Sequence, residues 1–154
     1  PRGLMTTTIR RSPGKPVLNR GEFLKKVCFP FPKKGCRWAF VKLGRRNALA
    51  ISRISMALMA DMTETGEISA ASLALGAVAP HPVRVPVVEN LLVGMSEASN
   101  FEAVAALLGT LVGELLGPRP SVVYKKEAIK GVAWDAWNKM WQTRPDTPVF
   151  IKIG

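Results

Sequence analysis

A period-two alternation of apolar and polar residues, repeated on both sides of a glycine turn, constrains this chain more than any other feature. In "CRWAFVKLG", Trp38, Phe40 and Lys42 alternate with Ala39, Val41 and Leu43, the spacing of a strand with two unlike faces. From Leu49 to Asp61 the alternation returns, with Ser52, Ile54, Met56 and Leu58 on one side and Ile51, Arg53, Ser55 and Ala57 on the other. "MTETGE" then predicts a hairpin, with Gly66 supplying a backbone angle that a side chain resists. The return strand is expected over Ile68 to Val78. Upstream, Phe23 to Phe29 reads as an edge strand ended by Pro30 and Pro32, which cannot donate to a ladder. Three or four antiparallel strands therefore fall within residues 23 to 78.

Beyond "APHP" the period changes. Val85 to Val93 is a short helix candidate, with Pro86 in its first turn and Gly94 at its end. Asn100 is placed to cap a second, in which Val104, Leu107, Leu108, Leu111, Val112 and Leu115 recur at helical spacing until "GPRP" stops it. A third runs from Ser121 to about Trp141 and aligns Ile129, Val132, Ala133, Ala136, Trp137 and Met140. Strands followed by helices is an α+β pattern: an antiparallel sheet of three or four strands with about three helices on one face. A chain of 154 residues suits one such core. Residues 1–20, with Pro1, Pro13, Pro16, Gly3 and Gly14, read as a connector, 21–142 as the domain and 143–154 as a tail.

Composition narrows the setting. The net charge is +11, but it is unevenly placed: residues 1–53 carry 14 Lys and Arg against Glu22 alone, and residues 54–154 carry 8 against 10 acids. A basic block of this kind suits nucleic acid, a membrane surface, an acidic partner subunit or an anionic cofactor. The basic half carries few aromatics and no recognised nucleic-acid module, so no nucleic acid is expected. Apolar runs break well short of the roughly 18 residues of a membrane span, and the start lacks a secretory signal. Cys28 and Cys36 read as thiols of a reducing compartment, and the chain as cytoplasmic. With His81 the only histidine, no metal site is expected.

Lys42, Arg45, Arg46 and Arg53 crowd the mouth of the predicted sheet, where they face either solvent or an electron-rich group such as a flavin or a phosphate. Gly76, between apolar neighbours, marks a bulge or a close backbone approach. His81 reads as a turn residue, and the stripe Trp134, Trp137, Met140, Trp141 as core or interface. Glu64, Glu67, Glu89, Glu102 and Glu114 are scattered, with no pair framed for acid–base work. No self-contained active site is expected.

Three segments, "SPGKPVLNRGEFLKKVCFPFP", "FVKLGRRNALAISRISMALMA" and "GEISAASLALGAVAPHPVRVPVVENLLVG", occur in an order and spacing that resemble the C-terminal domain of the FAD subunit of molybdenum hydroxylases, the xanthine dehydrogenase and carbon monoxide dehydrogenase flavoprotein family. The likeness covers about residues 12 to 135. It implies an oxidoreductase domain that covers the flavin isoalloxazine and helps pass electrons from iron–sulfur clusters to NAD or another acceptor. It also implies Leu24 and Lys42 as cofactor-binding residues, FAD shared with an N-terminal FAD-binding domain, and 2Fe-2S and molybdopterin in partner subunits. The AGGT-type loops that hold the pyrophosphate in relatives have no counterpart in this sequence, so the chain is expected to be inactive in isolation and to bind FAD weakly or not at all alone. Tyr124-Lys125 stands where relatives have Tyr-Arg. The alternatives are a non-catalytic subunit-assembly module of the same fold and a basic nucleic-acid-binding domain.

Overall fold

The computed structural model describes residues 10–12, 15–16, 19–23, 25, 32, 34–44 and 51–143. The chain divides into two compact units, Pro1–Lys33 and Lys34–Gly154. In the first, β1 (Arg10–Ser12) pairs antiparallel with β2 (Lys15–Pro16). Downstream, the Asn19 amide donates to the Glu22 carboxylate at 2.8 Å. The expected edge strand at Phe23 to Phe29 lies largely outside the described residues, as do Leu24, Cys28, Arg45 and Arg46.

The second unit is built on a four-stranded antiparallel sheet in the order β3 (Arg37–Leu43), β4 (Ile54–Met62), β5 (Ile68–Gly76), β6 (Val83–Arg84). Each neighbour in the sheet is also the next strand in sequence, so the ladder is a meander. The alternation read from the sequence appears as burial: Ile54, Met56, Leu58 and Ala60 of β4 are buried, as are Leu73 and Leu75 of β5 and Ala39 of β3. The β4–β5 hairpin closes as expected, with Gly66 at φ 84° and the Thr63 amide donating to the Glu67 carbonyl at 2.8 Å. The return strand stops at Gly76, two residues before the expected Val78, because Ala77 takes a positive φ of 62° that leaves the extended region.

Three helices follow: α1 (Pro86–Leu92), α2 (Glu102–Leu116) and α3 (Val122–Gln142). α3 lies against β3 and β4, α1 against β5, and α2 packs on α3 and α1. Asn100 does cap α2, but from one position further out: Phe101 is the boundary residue, and the Asn100 side-chain oxygen accepts from the Glu102 amide at 2.9 Å. Phe101 is thereby turned inward, where it stacks on Trp137 at 4.6 Å and meets the edge of Trp134 at 5.2 Å. The tryptophan stripe is core in this chain.

Close helix contact needs small residues. A Cβ on Gly109 of α2 would stand 3.1 Å from the Lys126 carbonyl of α3, tighter than side chains usually tolerate. The far end of α3 is tied to the sheet by Arg37, whose guanidinium donates to the Trp141 and Thr143 carbonyls and lies 5.2 Å from the Trp141 ring. A cation at these carbonyls satisfies groups that a helix end leaves unpaired. Among the described residues, no helix is long and apolar enough to cross a membrane.

Candidate functional site

One face of the sheet is covered by helices, and the other carries the side chains of opposite parity. On β3 these are Trp38, Phe40 and Lys42, which pair across the ladder with Met59, Ala57 and Ser55 of β4. On β5, Ala74 stands beside Ala57 and Gly76 beside Ser55. The outer face near Lys42 is therefore floored by Ser55, Ala57, Ala74 and Gly76, all small. Phe40 next to it remains 51 % exposed and Met59 37 %.

Local sequence explains this surface. Strand geometry sends Lys42 to the side opposite Val41 and Leu43, which pack against the core. Small residues keep the floor flat. The close approach expected at Gly76 is real: a Cβ there would meet the Ser55 hydroxyl at 2.5 Å. The ladder irregularity lies elsewhere, between Asp61 and Met62. Lys42 itself is exposed and stands at the end of the sheet away from the Gly66 hairpin.

Arg53 reaches the same end of the sheet, its amide donating to the Leu43 carbonyl at 2.7 Å. The structure thus brings Lys42 and Arg53 together as the sequence placed them, while Leu24, Arg45 and Arg46 lie outside the described residues. His81 is an exposed turn residue. Tyr124 is exposed, and Lys125 behind it donates its ammonium to the Ala77 carbonyl at 2.5 Å.

Residues 38–140 match the family model described as the CO dehydrogenase flavoprotein C-terminal domain. The chain belongs to this family. The nicotinate dehydrogenase FAD-subunit of Eubacterium barkeri is 32 % identical over 117 residues, covering 75 % of this chain and 40 % of that protein. Quinoline 2-oxidoreductase from Pseudomonas putida 86 superposes with a TM-score of 0.58 at 25 % identity, over 74 % of this chain and 39 % of that one. Reconstituted CO dehydrogenase from Oligotropha carboxidovorans gives a TM-score of 0.61 at 19 % identity, over 75 % and 40 % of the two chains, a likeness of fold. This flavoprotein C-terminal domain thus spans about two fifths of the length of its relatives.

Sequence reasoning passed over one constellation in the domain. Glu89, dismissed as one of several scattered acids, is buried at 8 % exposure. Its carboxylate accepts from Arg84 Nε at 2.5 Å, Arg84 Nη2 at 2.6 Å and the Leu73 amide at 2.9 Å. Arg84 also donates to the Ser72 hydroxyl at 3.2 Å. Burial alone raises this carboxyl, but the hydrogen bonds from Arg84 and Leu73 and the Arg84 charge outweigh it and hold Glu89 below the usual glutamate range. The available signal was an acid on the inner side of a two-turn helix, five residues after an arginine.

Proposed function

We propose that the chain serves as the C-terminal domain of the FAD subunit of a molybdenum-hydroxylase-type oxidoreductase, with the outer sheet face around Lys42 as one wall of the flavin site. The observation that carries this reading is Lys42 itself: a single ammonium beside a flat floor of Ser55, Ala57, Ala74 and Gly76, within a chain matched to this flavoprotein family. The residues fit a planar ring. Small side chains leave room for a face-on approach, half-exposed Phe40 offers an aromatic edge, and the cation stands at the side.

When bound, the flavin supplies the redox chemistry that links iron–sulfur clusters to NAD or another acceptor. This chain's residues hold and bias it. The Lys42 ammonium places a positive charge where the ring gains negative charge on reduction, an attraction that strengthens as a bound ring covers this exposed lysine. Ala57, Ala74 and Phe40 offer apolar contact to the same ring face. Leu24, outside the described residues, is carried as a cofactor contact by its place in the segment that resembles the family. Residues 1–20 enter from an N-terminal FAD-binding domain that holds the nucleotide end, residues 21–142 form the domain and 143–154 the tail. The iron–sulfur and molybdopterin groups belong to partner subunits. The complex is assigned to the cytoplasm.

The test is reconstitution. Mixed with an FAD-binding domain of the family, the chain should raise flavin retention, and Lys42→Ala should lower the flavin potential by about 30 mV, the equivalent of about 1.4 kcal/mol for a two-electron couple. Absence of any gain in retention, or an unchanged potential in the variant, refutes the assignment.

A further inference from the structure

Three residues form one row across the outer face of the sheet: Lys42 of β3 stands opposite Ser55 of β4, and Ser55 opposite Gly76 of β5. The Ser55 hydroxyl leans toward β5, away from Lys42. A Cβ on Gly76 would lie 2.5 Å from Ser55 Oγ but 3.8 Å from Ser55 Cβ, so the hydroxyl occupies the space that glycine leaves open. Gly76 ends β5 without a positive φ. Its backbone conformation does not require glycine, and room for the hydroxyl does.

The four-stranded sheet holds Ser55, Ser69 and Ser72, and the last two are bonded. Ser69 donates to the Asp61 carbonyl at 3.0 Å, and the Ser72 hydroxyl accepts from Arg84 at 3.2 Å. Half-buried Ser55 makes no hydrogen bond among the described residues. On an open face solvent satisfies such a hydroxyl. Under a planar ring it loses that solvent and needs a polar ring atom instead. An edge with ring nitrogens and carbonyl oxygens supplies one, and a hydrocarbon ring does not.

We propose that Ser55 is a second polar contact to the flavin ring, fixing the ring's orientation in its own plane, and that Gly76 is the positioning residue that keeps the hydroxyl in place. This contact rests on the reading of the Lys42 face as a wall of the flavin site. A single ammonium lets a planar ligand pivot about it. A hydroxyl one strand further over, at a strand spacing of about 4.8 Å, removes that freedom. The hydroxyl both donates and accepts, so it serves a ring nitrogen that is an acceptor in oxidised flavin and an N–H donor in reduced flavin. Its effect therefore falls on binding in both redox states, whereas the Lys42 charge acts on the potential.

FAD titrated into the 154-residue chain mixed with an FAD-binding domain of the family tests the contact, read by flavin fluorescence and by the visible absorption band. Ser55→Thr and Ser55→Val have nearly the same shape and differ in the hydroxyl. Each checked for native circular dichroism, Ser55→Thr should bind FAD within about twofold of wild type, and Ser55→Val about fivefold more weakly, as loss of one neutral hydrogen bond does. The absorption band of Ser55→Val should be displaced from that of Ser55→Thr, and Gly76→Ala, which pushes the hydroxyl aside, should displace it in the same sense. Equal affinity and identical spectra for Ser55→Thr and Ser55→Val overturn the proposal. If Lys42→Ala still lowers the potential in that case, the flavin wall stands without Ser55. If wild type binds no more FAD than the FAD-binding domain alone, both readings fall.

Discussion

Arg84 of β6 and Glu89 of α1 hold each other through two hydrogen bonds, 2.5 Å and 2.6 Å, and the same carboxylate caps the Leu73 amide of β5 at 2.9 Å. One buried acid therefore joins the sheet edge to the first helix. The Leu73 carbonyl completes the corner by accepting the Val85 amide at 3.1 Å. Without Glu89, the Leu73 amide would be a buried donor lacking its partner.

Glu89→Ala is accordingly expected to destabilise the domain by about 1–3 kcal/mol, the cost of an orphaned buried donor. Equilibrium urea unfolding reads this as a lower midpoint with an unchanged slope. A variant as stable as wild type would show that the corner is held by packing alone.

The pH dependence follows from the same carboxyl. Its folded pKa lies below the unfolded one, so its stabilising contribution is complete above the unfolded value, about 4.3, and is lost as pH falls through the folded value. The stability gap between wild type and Glu89→Gln should be constant at neutral pH and shrink under acid conditions. Unfolding curves collected across that window check the sign, and a gap that widened in acid would contradict it.

Gly76 and Ser55 face each other across the β4–β5 ladder, and a Cβ on Gly76 would fall 2.5 Å from the Ser55 hydroxyl but 3.8 Å from its Cβ. Gly76→Ala should cost about 1 kcal/mol through overpacking, and Ser55→Ala should restore most of it. The double-mutant cycle measures the coupling. Additive effects would place the strain elsewhere.

Phe101 is 1 % exposed and sandwiched by Trp137 and Trp134. Phe101→Ala removes a buried ring and two aromatic contacts, so a loss of about 3–5 kcal/mol is expected. Thermal unfolding gives the stability change, and a shift in tryptophan emission reports the opened cluster. A stable variant with native emission would mean the tryptophans pack without it.

Much of this was legible in the sequence. Period-two alternation in "CRWAFVKLG" and from Leu49 to Asp61 identified the strands and their inward faces, because strand side chains must alternate, although β4 itself begins only at Ile54. Gly66 marked the hairpin and Gly94 the end of α1, and the three helices were visible as a change of period. Two of the three family segments, those beginning at Phe40 and Gly66, fall within the match over residues 38–140. Strand and helix periods are local properties of the chain, set by backbone geometry and by which side chains avoid water.

Tertiary structure alone decided the pairings between distant residues. The sequence showed Glu89 as one acid among several, Arg37 as part of a basic block and Lys125 as a departure from a motif. Folding made Glu89 the partner of Arg84 and Leu73, set Arg37 on the last carbonyls of α3, and drew Lys125 to Ala77, 48 positions away. A charge has no period. Its role depends on which partner the packed core brings within about 3 Å and on how much water is excluded there, and neither quantity exists until the sheet and helices have closed.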